Sequence, residues 1–239
     1  FNETYTEFDS ATDAIKHFDL SYIGLDMFVE RGGNHQKKFI LKPKSEDYSP
    51  FELRHASSGI QTTAPLVAMV NYYAQAFDFK LAQKRSIIDL LFEKNLTMQY
   101  RPEMELADMP RYVHIHIEEQ ELSLDPTSQI QLLNELVRLA FYAKVDDRQI
   151  GLVLATHSPY IANSLNLLMK AHDCGTNIQG AHVAYDDLSV YQIENGRVHC
   201  LKVKNMHYVN TDRLSEDINF IYDKYQELKS LQNEKSFGE

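Results

Sequence analysis

Cysteine is nearly absent from the chain, and its two copies, Cys174 and Cys200, have no metal-type spacing. This excludes a disulfide framework and a cysteine-built zinc site, suits a reduced compartment, and reads as two small buried hydrophobes. Nine glycines in 239 residues are few, so each glycine-bearing turn marks a break between elements. No apolar run approaches the ~20 residues needed to span a bilayer. No basic-then-apolar start resembles a secretion signal. A cytoplasmic protein without a membrane partner is expected, and the glycosylation-type triplets Asn2-Glu3-Thr4 and Asn95-Leu96-Thr97 then read as chance. Basic residues are outnumbered, giving a net charge of -10, which argues against a chain-wide nucleic-acid-binding face and leaves room for a local basic patch. There is no internal repeat and no low-complexity tract. The chain starts at Phe1 rather than Met, which reads as part of a longer protein.

Apolar residues make up 44% of the chain, an ordinary share for a globular core. Helical character is expected around Ala11 to Phe18, a turn at Gly32-Gly33-Asn34, and strands at Lys38 to Lys42 and Phe51 to His55. Leu66, Met69, Val70, Tyr73 and Phe77 recur at helical spacing, with Pro65 expected in that helix's first turn. Leu81 to Phe92 reads as a second helix and Asn95 to Pro110 as a long loop. Tyr112 to Ile117 reads as a buried strand, followed by a helix through Ile130, Leu133, Leu136, Val137 and Ala140, a strand at Ile150 to Ala155 and a helix at Tyr160 to Ala171. Val183 to Tyr185, Leu188 to Ile193 and Val198 to Val203 read as strands, with Asn195-Gly196 a strong hairpin signal. A final helix is expected from Asp212 to Leu231, with Leu214, Ile218, Ile221, Tyr225 and Leu228 on one stripe.

Three segments carry chemistry. The strand V-H-I-H-I ends on Glu118 and Glu119, and the carboxyl ends of parallel strands converge on a ligand crevice. One carboxylate there suits a magnesium ion and the other suits orienting a water for attack on a phosphoryl group. A bare acidic turn explains the pair equally well. The strand GLVLA leads into Thr156-His157-Ser158-Pro159, where His157 can donate one hydrogen bond and accept another. The Ala56-Ser57-Ser58-Gly59 turn precedes a helix whose first N–H groups and dipole favour an anion, although plain serine capping is common.

In this order, ASSGIQ (56–61), IHIEEQE (115–121), SLD (123–125) and ATHSPYIANSLN (155–166) resemble the ABC-type ATPase head of the SMC, RecF and OLD-like branch. The resemblance covers roughly Phe51 to Asn166. It implies an α/β P-loop NTPase fold, seen here as the C-terminal lobe, with a mostly parallel sheet flanked by helices and a small antiparallel β element. It implies ATP and Mg²⁺ as cofactors, with Glu118 linked to the metal, Glu119 as catalytic base, His157 as the switch histidine, Ser57, Ser58 and Gly59 as the signature turn, and Asp125 in the D-loop. Glu118 stands where aspartate is usual, Gln120 where proline is usual, and the spacing between signature and acids is long. No G-x-x-x-x-G-K-[ST] occurs anywhere in the chain, so the phosphate loop is expected N-terminal to these residues or on another chain.

The implied division is 1–50 as a partial N-terminal lobe or connector, 51–210 as the ATPase lobe and 211–239 as a C-terminal helix. The implied function is ATP hydrolysis between two heads of a homodimer or higher oligomer, coupled to DNA or to a partner nuclease, as in anti-phage assemblies. The alternative is a non-catalytic structural or regulatory module that keeps the head fold and binds a partner protein. His114 and His116 are expected to be buried and hydrogen-bonded rather than a metal pair. His199, His207, Asp186 and Asp187 are expected in turns or on the surface.

Overall fold

A computed structural model of the protein describes residues 2–32, 36–95, 111–203, 206–212 and 216–236. Gly33 and Asn34 of the expected turn, the expected loop beyond Asn95, and Leu214 of the expected stripe lie outside these residues. The chain divides into two compact units. The first is Phe1–Thr156 with Gln179–Ala181, and the second is His157–Ile178 with His182–Glu239. Residues 1–50 share a unit with the segment that follows.

The first unit opens with helix α1 (Asn2–Ala14), earlier than the expected helix, and His17 and Phe18 enter a strand instead. Strands β1 (His17–Leu20), β2 (Leu25–Arg31), β3 (Lys37–Pro43) and β4 (Phe51–Glu52) form an antiparallel sheet in sequence order. Leu53–His55 turn into a 3₁₀ segment rather than extending β4. Phe18 pairs with Met27, Leu20 with Leu25 and Met27 with Leu41. Paired residues share a face, so alternation directs these side chains into one buried layer.

Helix α2 (Ser58–Gln75) packs against α1, β1 and helix α4 (Pro126–Val137). Its buried side holds Gly59, Thr63, Ala64, Val67, Ala68, Val70 and Ala74, small residues that permit close approach. Pro65 lies inside this helix, not in its first turn, because capping starts the helix at Ser57; proline there cannot donate to the Gln61 carbonyl. Helix α3 (Phe79–Glu93) matches its sequence pattern.

Strands β5 (Tyr112–Glu118) and β6 (Gln149–Ala155) pair in parallel, linked through α4. The core joins Phe18, Leu20, Met27 and Leu41 of the sheet to Val67 and Val70 of α2, Ile117 of β5, and Leu132 and Leu136 of α4. The fold is therefore mixed α/β, but the sheet is not mostly parallel: among the described residues only β5 and β6 pair that way. Short links fold β1 to β4 straight back on themselves, whereas a parallel pair needs a long crossover.

In the second unit, helix α5 (Pro159–Asp173) buries Ile161, Leu168 and Met169. The Asn166 amide donates to the Val209 carbonyl (2.9 Å) and accepts from its N–H (2.7 Å), tying α5 to the short β10 (Tyr208–Val209), which pairs with β9 (Lys202–Val203). Strands β7 (Tyr191–Glu194) and β8 (Arg197–Cys200) form the expected hairpin, with positive φ at both Asn195 and Gly196. Val183–Tyr185 is not a strand: Tyr185 begins a 3₁₀ turn ending at Asp187. Cys174 and Cys200 are exposed, against expectation, because one follows α5 and the other ends the exposed β8. Helix α6 (Glu216–Ser236) exposes Ile221, Tyr225 and Leu228. No helix among the described residues is long and apolar enough to cross a membrane.

Leu136 is fully buried where α4 meets the sheet core. Leu136→Ala is expected to cost about 2–5 kcal/mol, read as a lower urea midpoint with an unchanged slope.

Candidate functional site

The acidic end of β5 is built by strand alternation. Val113, Ile115 and Ile117 point inward, while Tyr112, His114, His116 and Glu118 share the exposed face. The histidines are therefore not buried, because the pair β5–β6 is covered on one face only. The Tyr112 hydroxyl lies 3.4 Å from His114 Nδ1, and these rings lie over Gly151, where an added Cβ would come within 2.9 Å of that nitrogen. Among the described residues no group of three or more His, Cys, Asp or Glu is arranged to hold a metal ion.

Glu118 pairs with Ala155 at the carboxyl end of the parallel ladder. Glu119 lies beyond the strand, so alternation does not set its direction. Its N–H donates to the Ala155 carbonyl (2.8 Å), and its φ of 50° is left-handed. Both glutamates are exposed. Two tight turns follow, as Leu122 N–H donates to the Glu119 carbonyl and Leu124 N–H to the Glu121 carbonyl, each at 3.0 Å. The Thr156 hydroxyl donates to Glu121 Oε1 at 2.6 Å, fastening the turn to the end of β6. Gln120 is buried at 2% exposure, and neither its Oε1 nor its Nε2 has a hydrogen-bond partner among the described residues.

At the far end of this turn Asp125 caps α4. Its Oδ1 accepts from the N–H groups of Thr127 (2.9 Å) and Ser128 (3.2 Å), and its Oδ2 accepts from the Ser128 hydroxyl (2.5 Å). The Ser128 hydroxyl, then the Ser128 N–H, hold the Asp125 carboxyl below its ordinary pKa. Pro126 at the next position fits because its missing N–H would be an orphan there.

The serine turn caps α2 in the same manner: Ser57 Oγ accepts from Ile60 N–H at 3.5 Å, and Ser57 and Ser58 are exposed. Gly59 is buried against the acidic turn. A Cβ there would sit 2.7 Å from the Ser123 carbonyl oxygen and 2.8 Å from Leu124 Cδ2, so only glycine lets the two segments meet. Behind it, the Thr63 hydroxyl donates to the Gly59 carbonyl (2.9 Å) and the Tyr22 hydroxyl donates to Thr63 Oγ1 (3.1 Å). Burial pushes the Tyr22 phenol up to about 12. Ser57, Ser123, Asp125 and Ser128 share an open cavity of about 530 Å³ with Ser21 and Tyr22.

The first unit thus brings Ser57, Ser58, Gly59 and Asp125 together, with Glu118 and Glu119 at the other end of the turn that starts after the strand. His157 belongs to the second unit, where it is exposed just before Ser158, whose Oγ caps α5 by accepting from Ile161 N–H (3.4 Å). Tyr22, Thr63 and Ser128 escape the motif reading. Thr63 stands one helical turn after Gly59 and Ser128 three residues after the cap, so spacing is the signal that marks these two, and no local signal marks Tyr22. The exposed carboxylates at this strand end, Glu118 and Glu119, are two, and a magnesium ion takes one or two carboxylates and completes its shell with water and phosphate oxygens. No known family model matches the chain, and no curated protein matches it.

Two outcomes follow. Gly59→Ala forces a methyl into backbone and is expected to destabilise by about 1–3 kcal/mol in thermal or chemical denaturation. Because the folded pKa of Asp125 is depressed, its contribution is present above the unfolded carboxylate pKa of ~3.9 and is lost as pH falls through the lower folded value. Asp125→Asn, which still caps, is expected to lose this part of the acid limb, giving a shallower fall of melting temperature below pH 4 (an unfolded-state value of about 3.9).

Proposed function

We propose that the chain is the C-terminal lobe of an ATP-hydrolysing head that works as a nucleotide-bridged homodimer or higher oligomer. The observation that supports this reading is the contact of Gly59 with the Ser123 carbonyl, which makes the serine turn and the Asp125 turn two walls of one cavity. The motif order alone would not require those segments to touch.

On this reading the exposed hydroxyls of Ser57 and Ser58 and the first N–H groups of α2 hold the terminal phosphate of a nucleotide carried by a second copy. Glu118 would hold a magnesium ion, and the ion would neutralise charge on the phosphates. Glu119 accepts the proton of the attacking water, a role that contributes roughly 10²–10⁴-fold to rate. Asp125 lies at the contact between copies. His157 is assigned the terminal-phosphate contact by the resemblance. The phosphate loop comes from residues outside this chain, and DNA or a nuclease partner in a cytoplasmic defence assembly is the expected context.

A second reading, a non-catalytic module binding a partner protein, is favoured by one feature: both oxygens of the Asp125 carboxylate are engaged in capping α4. ATP titration and turnover of the intact gene product separate the two. Glu119→Gln is expected to keep ATP binding and lose turnover by about 100-fold or more. Undiminished turnover removes Glu119 as the base, and no ATP binding by the unchanged protein favours the module.

A further inference from the structure

Between Glu119 and Leu124 the backbone collects costs that a passive connection would avoid. Glu119 (φ 50°) and Ser123 (φ 62°) both sit in the left-handed region, which side chains other than glycine rarely enter. Between them Gln120 buries an amide whose oxygen and nitrogen both lack a partner among the described residues, an arrangement that costs free energy and that proteins usually avoid. Such a segment persists only when its surroundings hold it. Two clamps are visible. At one end Glu119 N–H is bonded to the Ala155 carbonyl and Thr156 to Glu121. At the other the Ser123 carbonyl is pressed against Gly59, on the first turn of the helix that Ser57 caps.

We propose that the segment from Glu119 to Leu124 is a two-state turn, held in the observed state by these clamps and released when a ligand or a second copy at the Ser57 cavity shifts the start of α2. In the released state Gln120 leaves its burial and Glu119 changes direction, so the turn decides when Glu119 is in working position. This rests on the reading of Glu119 as the base.

The test uses the intact gene product, its Gln120→Leu variant, melting temperature, and amide hydrogen exchange across residues 119–124 with and without a non-hydrolysable ATP analogue. Leucine keeps the shape and removes the orphan amide, so it traps the observed state. It is expected to raise the nucleotide-free melting temperature by about 2–4 °C per kcal/mol gained, to slow exchange in the turn, and to blunt the change in exchange caused by the analogue. Turnover falls several-fold with nucleotide affinity retained. A lower melting temperature, or turn exchange equal to that of the unchanged protein, overturns the proposal. Should Gln120→Leu fail to fold, Ser123→Gly carries the same test. It removes the left-handed penalty from the observed state, so it must raise the melting temperature and slow exchange, and the opposite result overturns the proposal. If the unchanged protein binds no ATP, the ATPase reading falls, while the nucleotide-free melting and exchange measurements still decide whether the turn has two states.

Discussion

A missing side chain at one position governs the arrangement of the first unit. Gly59 lets the start of α2 lie on the carbonyl of Ser123, and any Cβ would come within 2.7 Å of that oxygen and 2.8 Å of Leu124 Cδ2. The contact is anchored from behind by the chain from Tyr22 through Thr63 to the Gly59 carbonyl, all of it buried. Hydroxyl groups out of water need partners, so this chain sets the depth and rotation of α2 as well as the position of Gly59. The sheet, α2 and α4 share one apolar core, and the cavity at Ser57 and Asp125 opens where two helices from that core begin.

Four helices among the described residues start in the same way, with Ser57, Asp78, Asp125 and Ser158 accepting N–H groups of the turns they precede. Each cap satisfies donors that would otherwise be orphaned, and the same donors and dipole attract anions. A structural duty and a binding duty therefore fall on the same atoms. At Asp125 the carboxylate is already engaged by Ser128 and Thr127, and this engagement keeps its pKa low. At Ser57 the capping contact is longer and the side chain is exposed, so its hydroxyl retains capacity for a further partner.

The exposed face of β5 presents another tension. Parallel strands are normally covered on both faces, yet Tyr112, His114, His116 and Glu118 are open. Gly151 makes room for the rings of the first two, so the face is shaped by packing within it as well as by solvent. The strand leads directly into a turn with left-handed backbone at Glu119 and Ser123, beside the exposed carboxylates of Glu118 and Glu119.

Local rules made much of this protein legible from residues alone. Periodicity marked α2, α3, α4 and α5, the apolar runs marked β5 and β6, and Asn195-Gly196 marked its hairpin, because each depends on neighbours a few positions away. The serine turn and the acidic strand end were readable for the same reason. What the residues could not disclose was set by distant partners. The antiparallel pairing of β1 to β4, the exposure of the histidines and cysteines, the placement of Pro65 inside a helix, and the division after Thr156 depend on which surfaces the core covers. The burial of Gln120 and the meeting of Gly59 with Ser123 belong to that second group. Spacing along a chain reports direction and period, whereas contact between segments more than sixty residues apart is decided by packing, and packing exists only once the chain has folded.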